Sequence, residues 1–375
     1  MKRVLLLGAG HAHLQVLQAL AAQRLASAQV ALVTPHEHAV YSGMVPGLVA
    51  GHYTLDDCRI PLRPLADAAG VHFITASAMA VDAAARRVQL SDGSEVAYDV
   101  LSLDTGAPTR RDALPGAQEH ALRLRPLEHF VRLLEPLWAL AGQHALDVVV
   151  IGGGAAGFET ALALSHRLAH IGTAGSRVAL VTGGGPVLDG YPDAVRRRGA
   201  AALRRAGVTV MRSACTAIAA DHVRLDNGAR AHCDAPVLAL GAQPPAWLAA
   251  SGLALDEAGF VATGPTLQSL SHAEVFAAGD VASRPDAPHP RSGVQAVRAG
   301  PALAENLRRY VGGGALLPHT PPARTLNLIS CGDRQAIAAW GGWSAQGRWA
   351  WWWKDRIDRA WVRRFAGGLS PGGGS

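Results

Sequence analysis

The stretch Val148-Val149-Val150-Ile151-Gly152-Gly153-Gly154-Ala155-Ala156-Gly157-Phe158-Glu159 decides how the chain is read. A run of β-branched residues stops abruptly at glycines, and an Ala/Leu-rich pattern through Leu162, Leu164 and Leu168 follows. That is strand, tight turn, helix. Gly152, Gly154 and Gly157 have the G-x-G-x-x-G spacing. The first allows the turn, the second lets backbone approach a pyrophosphate, and the third lets helix and strand pack closely. Ala155 and Ala156 keep the approach open. An anion would lie on the free N–H groups of the helix start, where the dipole favours negative charge.

Working outward, residues 4–20 repeat the theme. Val4–Leu7 reads as a strand, Gly8-Ala9-Gly10-His11-Ala12-His13 as the turn, and Leu14, Val16, Leu17 and Leu20 as a helix. His13 replaces the third glycine. Two histidines without a carboxylate or thiolate make a poor metal site, so His11 and His13 are expected to cap the turn or contact phosphate. The second strand, Val30–Val33, ends in Thr34-Pro35-His36-Glu37. An acid there commonly holds a ribose. Glu37 comes late for that role, and Thr34 is expected to share it.

Residues 41–53 read as a glycine-rich loop and short helix close to a ligand. Strands are expected at 71–74, 88–90 and 96–103, with an Asp92-Gly93 hairpin turn. The last runs into Asp104-Thr105-Gly106-Ala107-Pro108. Pro126–Leu146 reads as a helix. Val178–Val181 is a strand that ends in Thr182-Gly183-Gly184-Gly185 with no acid, so NADH and NADPH are not separated. Residues 193–206 form a basic helix, expected to be a solvated face. Strands follow at 208–211, 223–225 and 236–240. The last leaves through Gly241-Ala242-Gln243-Pro244 and echoes Gly106-Ala107-Pro108. Two similar modules, one inserted in the other, explain the echo. Val275–Ala277 is a strand ending in Gly279-Asp280, and a helix over 293–311 begins after Pro290-Arg291-Ser292.

Bulk composition narrows the classes. The 375 residues are 49% hydrophobic and 17% charged, which suits a folded protein of two or three domains. The formal net charge of +6 invites nucleic acid or anionic lipid. The basic residues are almost all Arg, however, and no nucleic-acid-binding pattern occurs, so no nucleic-acid partner is expected. Cys58, Cys215, Cys233 and Cys331 form no close pair. No disulfide framework, zinc site or iron–sulfur pattern is therefore expected, and a reducing cytoplasm fits. The apolar start breaks at Gly8 and reads as a strand, not a signal peptide.

Seven of the nine tryptophans lie beyond residue 339. Strands are expected at 324–331 and 336–343. After them Trp353, Ile357, Ala360, Trp361 and Phe365 fall on one helical face, amid Lys354, Arg356, Arg359, Arg363 and Arg364. A basic aromatic face of this kind meets a membrane surface, a second subunit or a groove of its own domain. A peripheral position at the inner face of the cell membrane, or a homodimer through residues 349–365, is left open. The glycine-rich stretch from Gly367 reads as a flexible tail.

Together these motifs resemble the pyridine nucleotide–disulfide reductase superfamily of two-dinucleotide-fold flavoproteins. The resemblance covers most of residues 1–320. Gly-His-Ala-His at 10–13, Tyr-Ser-Gly-Met-Val-Pro-Gly at 41–47 and Trp-Lys-Asp-Arg-Ile-Asp-Arg at 353–359 are similar to the NADH dehydrogenase-like flavoprotein module fused to selenophosphate synthases. The resemblance implies an α/β fold of two Rossmann-like, three-layer ββα domains, with the NAD(P) domain inserted in the FAD domain. The implied division is FAD domain 1–112 and 259–320, NAD(P) domain 113–258, a C-terminal α+β segment 321–366 and a tail 367–375.

It also implies the cofactors, FAD with NAD(P)H as co-substrate, and the sites. Gly8, Gly10, His11, His13, Thr34, Pro35, Ala78, Thr105 and Gly106 would hold FAD, with Gly279 and Asp280 at the ribityl chain and Ser292, Gly293 and Val294 at the flavin ring. Gly152, Gly154, Ala155, Ala156, Gly157, Thr182 and Gly241 would hold the nicotinamide nucleotide. Glu159, Pro46 and Arg291 are the candidate catalytic residues. Glu159 either orients the nicotinamide amide or simply complements the helix dipole. Arg291 and the amides at 292–294 would stabilise charge on the reduced flavin. The disulfide reductases carry a cysteine pair where this chain has Tyr41–Gly47, so a thiol relay is not expected. Type II NADH dehydrogenases often carry two glutamines four residues apart near the quinone, whereas here Gln295 has Ala299 at that spacing. The implied reaction is hydride transfer from NAD(P)H to flavin and on to a quinone or other small acceptor. A sulfur- or selenium-handling oxidoreductase and a slow redox-sensing flavoprotein are the alternatives.

Overall fold

The computed structural model of the chain describes residues 1–25, 28–109, 114–171 and 173–366. In chain order the elements that position the site are β1 (Lys2–Leu7), α1 (His11–Ala22), β2 (Ala28–Thr34), α2 (Val45–Val49), β3 (His72–Thr75) and β4 (Val100–Leu103). Next come β5 (Leu122–Arg123), α3 (Leu127–Ala141), β6 (Asp147–Ile151), α4 (Ala155–Leu168), β7 (Arg177–Val181), α5 (Asp193–Arg205), β8 (Thr209–Met211) and β9 (Ala235–Leu238). The chain closes with β10 (Val275–Ala277), α6 (Gly293–Gly312), β11 (Leu326–Ser330), β12 (Ala336–Trp340), β13 (Trp343–Gly347) and α7 (Arg348–Ala366).

Two parallel sheets organise these elements. One has strand order β10-β4-β1-β2-β3 and draws strands from both sides of the second. The other, β5-β9-β6-β7-β8, comes wholly from between β4 and β10. This is the inserted module. Each sheet carries a three-stranded antiparallel meander, at 78–97 between β3 and β4 and at 215–232 between β8 and β9.

The uninterrupted apolar runs follow from burial on both faces, as parallel sheets demand. In β1, Val4 and Leu6 enter the helix-side core while Leu5 and Leu7 enter the core under the first meander. In β6, Val148 and Val150 join the helix-side core, and Val149 and Ile151 face the second meander. The helix-side core is continuous across both modules, so packing as well as chain connection holds them together.

Three expectations on the elements are corrected. The strand expected at 96–103 is two. Glu95–Ala97 belongs to the meander and β4 to the parallel sheet, and the break holds Asp99, whose carboxylate accepts from the Arg3 amide at 2.7 Å. The strand expected at 336–343 is a hairpin of β12 and β13, turned at Gly341 with a positive φ of 57°. The helix expected over 126–146 stops at Ala141.

The C-terminal helix differs most. Trp353, Ile357 and Ala360 do not share an inward face with Phe365. Ala350, Asp358, Val362 and Phe365 are the buried positions, and Trp353 and Ile357 point to solvent with Trp349 and Trp352. The inward face is set by Lys354 and Asp358, which are mutually paired and satisfied inside the protein. Basic α5 presents arginines outward, but Val195, Ala202 and Leu203 anchor it. The tail expected from Gly367 lies outside the described residues, as does the domain boundary expected at 112. No helix among the described residues is long and apolar enough to cross a membrane.

Candidate active site

The inserted module supplies an open nucleotide turn. Gly152 has φ +131°, and a Cβ there would strike the Ala239 carbonyl of the neighbouring strand's exit. A Cβ on Gly157 would fall on the Gly152 carbonyl, so only glycine lets α4 close on β6. Gly154 caps α4 with no side chain accepting from its first amides, and the space around it is open. Ala155 and Ala156 begin the helix beside it. Thr182 closes the next loop by donating to the Gly185 carbonyl at 2.7 Å, and Gly241 stands exposed after β9. The helix start thus presents unpaired donors to an anion.

The first module looks alike in outline and differs in charge. Gly8 has φ +89°, and a Cβ there would lie 2.5 Å from the Asp104 carbonyl and the Thr105 Cα. Gly10 caps α1 without a side chain, but the amides of Ala12 and His13 donate to the Asp104 carboxylate at 2.8 and 2.9 Å. Asp104 stands just after β4 and before Thr105 and Gly106. Burial pushes its carboxyl up to about 7, against the pull of those two amides.

His13 serves the turn, one of its two expected roles. Its ring is fully buried, with Nδ1 2.6 Å from the Gly8 carbonyl and Nε2 2.8 Å from the Ser102 hydroxyl. Both nitrogens are spent inside the fold, and burial lowers its pKa to about 4. His13 therefore braces the turn. His11 lies instead in an aromatic cluster with Tyr41 and Trp361, ring centroids 5.3 and 6.2 Å away. Thr34 is buried at the end of β2, Pro35 is exposed after it, and Ala78 starts the meander.

Gly279 and Asp280, expected at a ribityl chain, form a short turn after β10. Asp280 is held by Arg125 at 2.5 Å, an ion pair that reaches across 155 residues from the inserted module. A cavity beside the start of α6 is lined by Gly279, Arg291, Ser292, Gln295 and Ala296. Ser292 caps α6, and Gly293 and Val294 open it. Among the described residues, the buried Oε1 of Gln295 has no hydrogen-bond partner. An orphaned acceptor beside a helix N-terminus fits a ligand that brings both an N–H donor and negative charge; a flavin does both. Arg291 lines this cavity, but its guanidinium is paired with Asp256 at 3.1 Å and lies 3.4 Å over the Phe260 ring.

The modules meet at α2, which holds buried Pro46 and packs against α4. Glu159, in the second turn of α4, accepts from the Ser330 amide at 2.7 Å through its carboxylate. Burial raises the Glu159 pKa to about 7, with Lys354 opposing. Lys354 donates to the Gly43 carbonyl and to Asp358, each at 2.6 Å. Burial works against its charge, but Asp358 and Glu159 more than offset this and hold its pKa above the usual lysine value. Glu159, Lys354 and Asp358 thus form one charged group between α4, the 41–47 loop and α7.

All four cysteines are free. Burial pushes the thiols of Cys58, Cys233 and Cys331 up to about 12. Asp147, His232 and Asp234 cluster at the opposite end of β6, where Arg177 already pairs with Asp147 at 2.7 Å. Asp104, Arg125 and Lys354 were not singled out by sequence pattern. Only an Asp at the end of a buried strand hinted at the first.

The chain is similar to known oxidoreductases. An NADH dehydrogenase-like protein of Mycobacterium tuberculosis is 37% identical over 174 residues, 45% of this chain and 43% of that protein. A demethylphylloquinone reductase of Synechocystis is 27% identical over 269 residues, 69% of this chain and 66% of that protein. The matches thus span from under half to about two thirds of these relatives' lengths. In fold, the chain is similar to a sulfide:quinone oxidoreductase from Aquifex aeolicus, with a TM-score of 0.81 and 20% identity over 98% of this chain and 92% of that one. The family model described as pyridine nucleotide-disulphide oxidoreductase matches residues 2–300. With four-fifths of its length matched and both nucleotide turns inside that span, the chain belongs to the pyridine nucleotide-disulphide oxidoreductase family.

Proposed function

We propose that this protein is an FAD-dependent NAD(P)H oxidoreductase of the NADH dehydrogenase-like branch. It passes hydride from NAD(P)H to the flavin, and electrons on to a quinone or another small acceptor, without a redox disulfide. The proposed domain limits are 1–112 with 259–320 for FAD, 113–258 for NAD(P), and 321–366 for the C-terminal segment. The observation that carries the reading is the junction. The helix α4 that leads from the open glycine turn and carries Glu159 in its second turn packs through α2 onto the module that holds the Gly279-Asp280 turn and the cavity at α6.

When bound, flavin supplies the two-electron chemistry, and the protein's part is to place and tune it. Gly8, Gly10 and Gly279 let the turns that would hold the cofactor close on Asp104. Asp280, fixed by Arg125, would hold the ribityl hydroxyls. Pro46 gives one wall of the junction a rigid apolar surface, which helps exclude water. Glu159 can hold or release a proton near neutral pH, the property required of a group serving a two-proton acceptor such as a quinone. Lys354 keeps a positive charge beside it.

The acceptor side includes the outward face of α7, where Trp349, Trp352, Trp353 and Ile357 stand exposed next to Arg356. We propose this face as the contact with a membrane surface or a second copy of the chain, since an apolar patch rimmed by cations seeks such a partner. The buried, weakly acidic thiols favour this reading over sulfur or selenium chemistry. Anaerobic reduction of the flavin-loaded protein by NADH and by NADPH, followed by reoxidation with a panel of quinones, sulfur species and one-electron acceptors, tests the proposal. Flavin reduction without quinone-dependent reoxidation would point to another acceptor.

A further inference from the structure

We infer that Asp104 couples flavin loading to proton uptake: its carboxyl occupies amides at the start of α1, and the cofactor's pyrophosphate settles at that helix end only when the carboxyl is neutral. The inference rests on the FAD reading above and names the residue that regulates that site.

The two nucleotide helices differ in one respect. Both begin at a glycine with no capping side chain of its own. The first amides of α4 are left to a ligand, whereas α1 already has the Asp104 carboxylate on the amides of Ala12 and His13. Asp104 is 2% exposed and has little room to leave. A Cβ on Gly10 or on Gly279 would collide with its carboxylate, so both turns of the flavin cradle close on it. It is wedged between the phosphate turn and the ribityl turn.

The surrounding charges do not neutralise it. From the β10 side it faces Asp280, whose negative charge repels it. Arg125, the cation nearby, is paired with Asp280. From α1, the His13 ring turns to Gly8 and Ser102, and the His11 ring sits with Tyr41 and Trp361. Both histidines are driven to about 4 by burial and stay neutral above that range. Among the described residues, only two backbone amides favour the charged carboxylate. A pyrophosphate adds negative charge at the same helix end. Ionised Asp104 competes with it for the dipole and repels it, whereas neutral Asp104 still accepts from an amide and offers its own O–H. Binding therefore draws a proton, and the affinity carries the pH dependence.

The test uses the full-length chain stripped of flavin. FAD affinity is measured by flavin fluorescence between about pH 6 and 9, and proton uptake by calorimetry in buffers of different ionisation enthalpy. Wild type is expected to bind FAD about tenfold more weakly per pH unit above the titration of Asp104, with close to one proton taken up per FAD. Asp104→Asn keeps an acceptor for the α1 amides without the charge, and should flatten the slope and abolish the uptake. Asp104→Ser, a shorter cap, serves if the Asn variant does not fold. FAD binding with no pH slope and no proton uptake in wild type overturns the inference and leaves the flavin reading intact. So does an unchanged slope in a folded variant. Failure of wild type to bind FAD at any pH overturns both.

Discussion

Replacing Lys354 with Met should destabilise the protein far more than its sequence setting suggests. In the sequence, Lys354 and Asp358 look like an ordinary i,i+4 pair on a basic helix, which would be worth a few tenths of a kcal/mol. In the structure their side chains are only 12% and 6% exposed, with Nζ and Oδ2 2.6 Å apart. The same ammonium donates to the Gly43 carbonyl, tying α7 to the loop before α2. Removing it strands a buried carboxylate, and breaking such a pair from one side costs about 3–5 kcal/mol. The half-buried Gly43 carbonyl left without its donor adds to the loss.

Replacing both partners with apolar residues removes the unpaired charge, so Lys354→Met/Asp358→Leu should recover most of the stability. Urea unfolding followed by tryptophan fluorescence is the assay, because seven of the nine tryptophans lie in the C-terminal segment and report its release. A loss below about 1 kcal/mol for the single variant would place the pair in the surface class and refute the reasoning. A double variant no better than the single would do the same.

Other predictions follow from the same contacts. Gly157→Ala puts a methyl on the Gly152 carbonyl; a cost of about 1–3 kcal/mol and loss of nicotinamide-nucleotide binding are expected, read by thermal melting and by NADH fluorescence. Glu159 has its folded pKa raised from 4.5 to about 7, chiefly by burial. Its contribution to stability is therefore full below about pH 4.5 and is lost as pH rises through 7. Glu159→Gln should lose less stability than wild type over that window in denaturant titrations at successive pH values. Changing all four cysteines to Ala or Ser should leave the rate of flavin reduction by NAD(P)H within about twofold, or about 0.4 kcal/mol of barrier; a tenfold drop would restore a thiol to the mechanism. Trp352→Glu with Trp353→Glu should weaken flotation with anionic liposomes or shift the oligomeric state, and no change in either would clear the exposed face of α7 of a partner role.

Much of the fold was legible because its determinants are local. Val148–Ile151 had to be a strand buried on two faces, Gly152 had to turn, and Gly157 had to let α4 close on β6. The repeat at Val4–Gly10 followed the same rule, and so did the two exits after β4 and β9. Residues far apart in sequence escaped. Asp104 caps a helix that starts 93 residues earlier, and no local pattern announces a cap supplied by a neighbouring strand. Arg125 reaches Asp280 across the two modules. His13 reads from its position as a turn cap or a phosphate contact, and only the fold shows that a carbonyl and a hydroxyl claim both its nitrogens. Helical periodicity placed the apolar face of α7 wrongly for a related reason. Lys354 and Asp358 face inward as a satisfied pair, and the tryptophans at 349, 352 and 353 turn out.

The most direct test of the account is anaerobic stopped-flow mixing of the flavin-loaded protein with NADH and with NADPH. The account predicts that at least one nucleotide bleaches the visible flavin band within a turnover, and that the reduced protein has taken up two electrons per flavin. A flavin left oxidised by both nucleotides, or an uptake of four electrons per flavin revealing a redox-active disulfide, would contradict it.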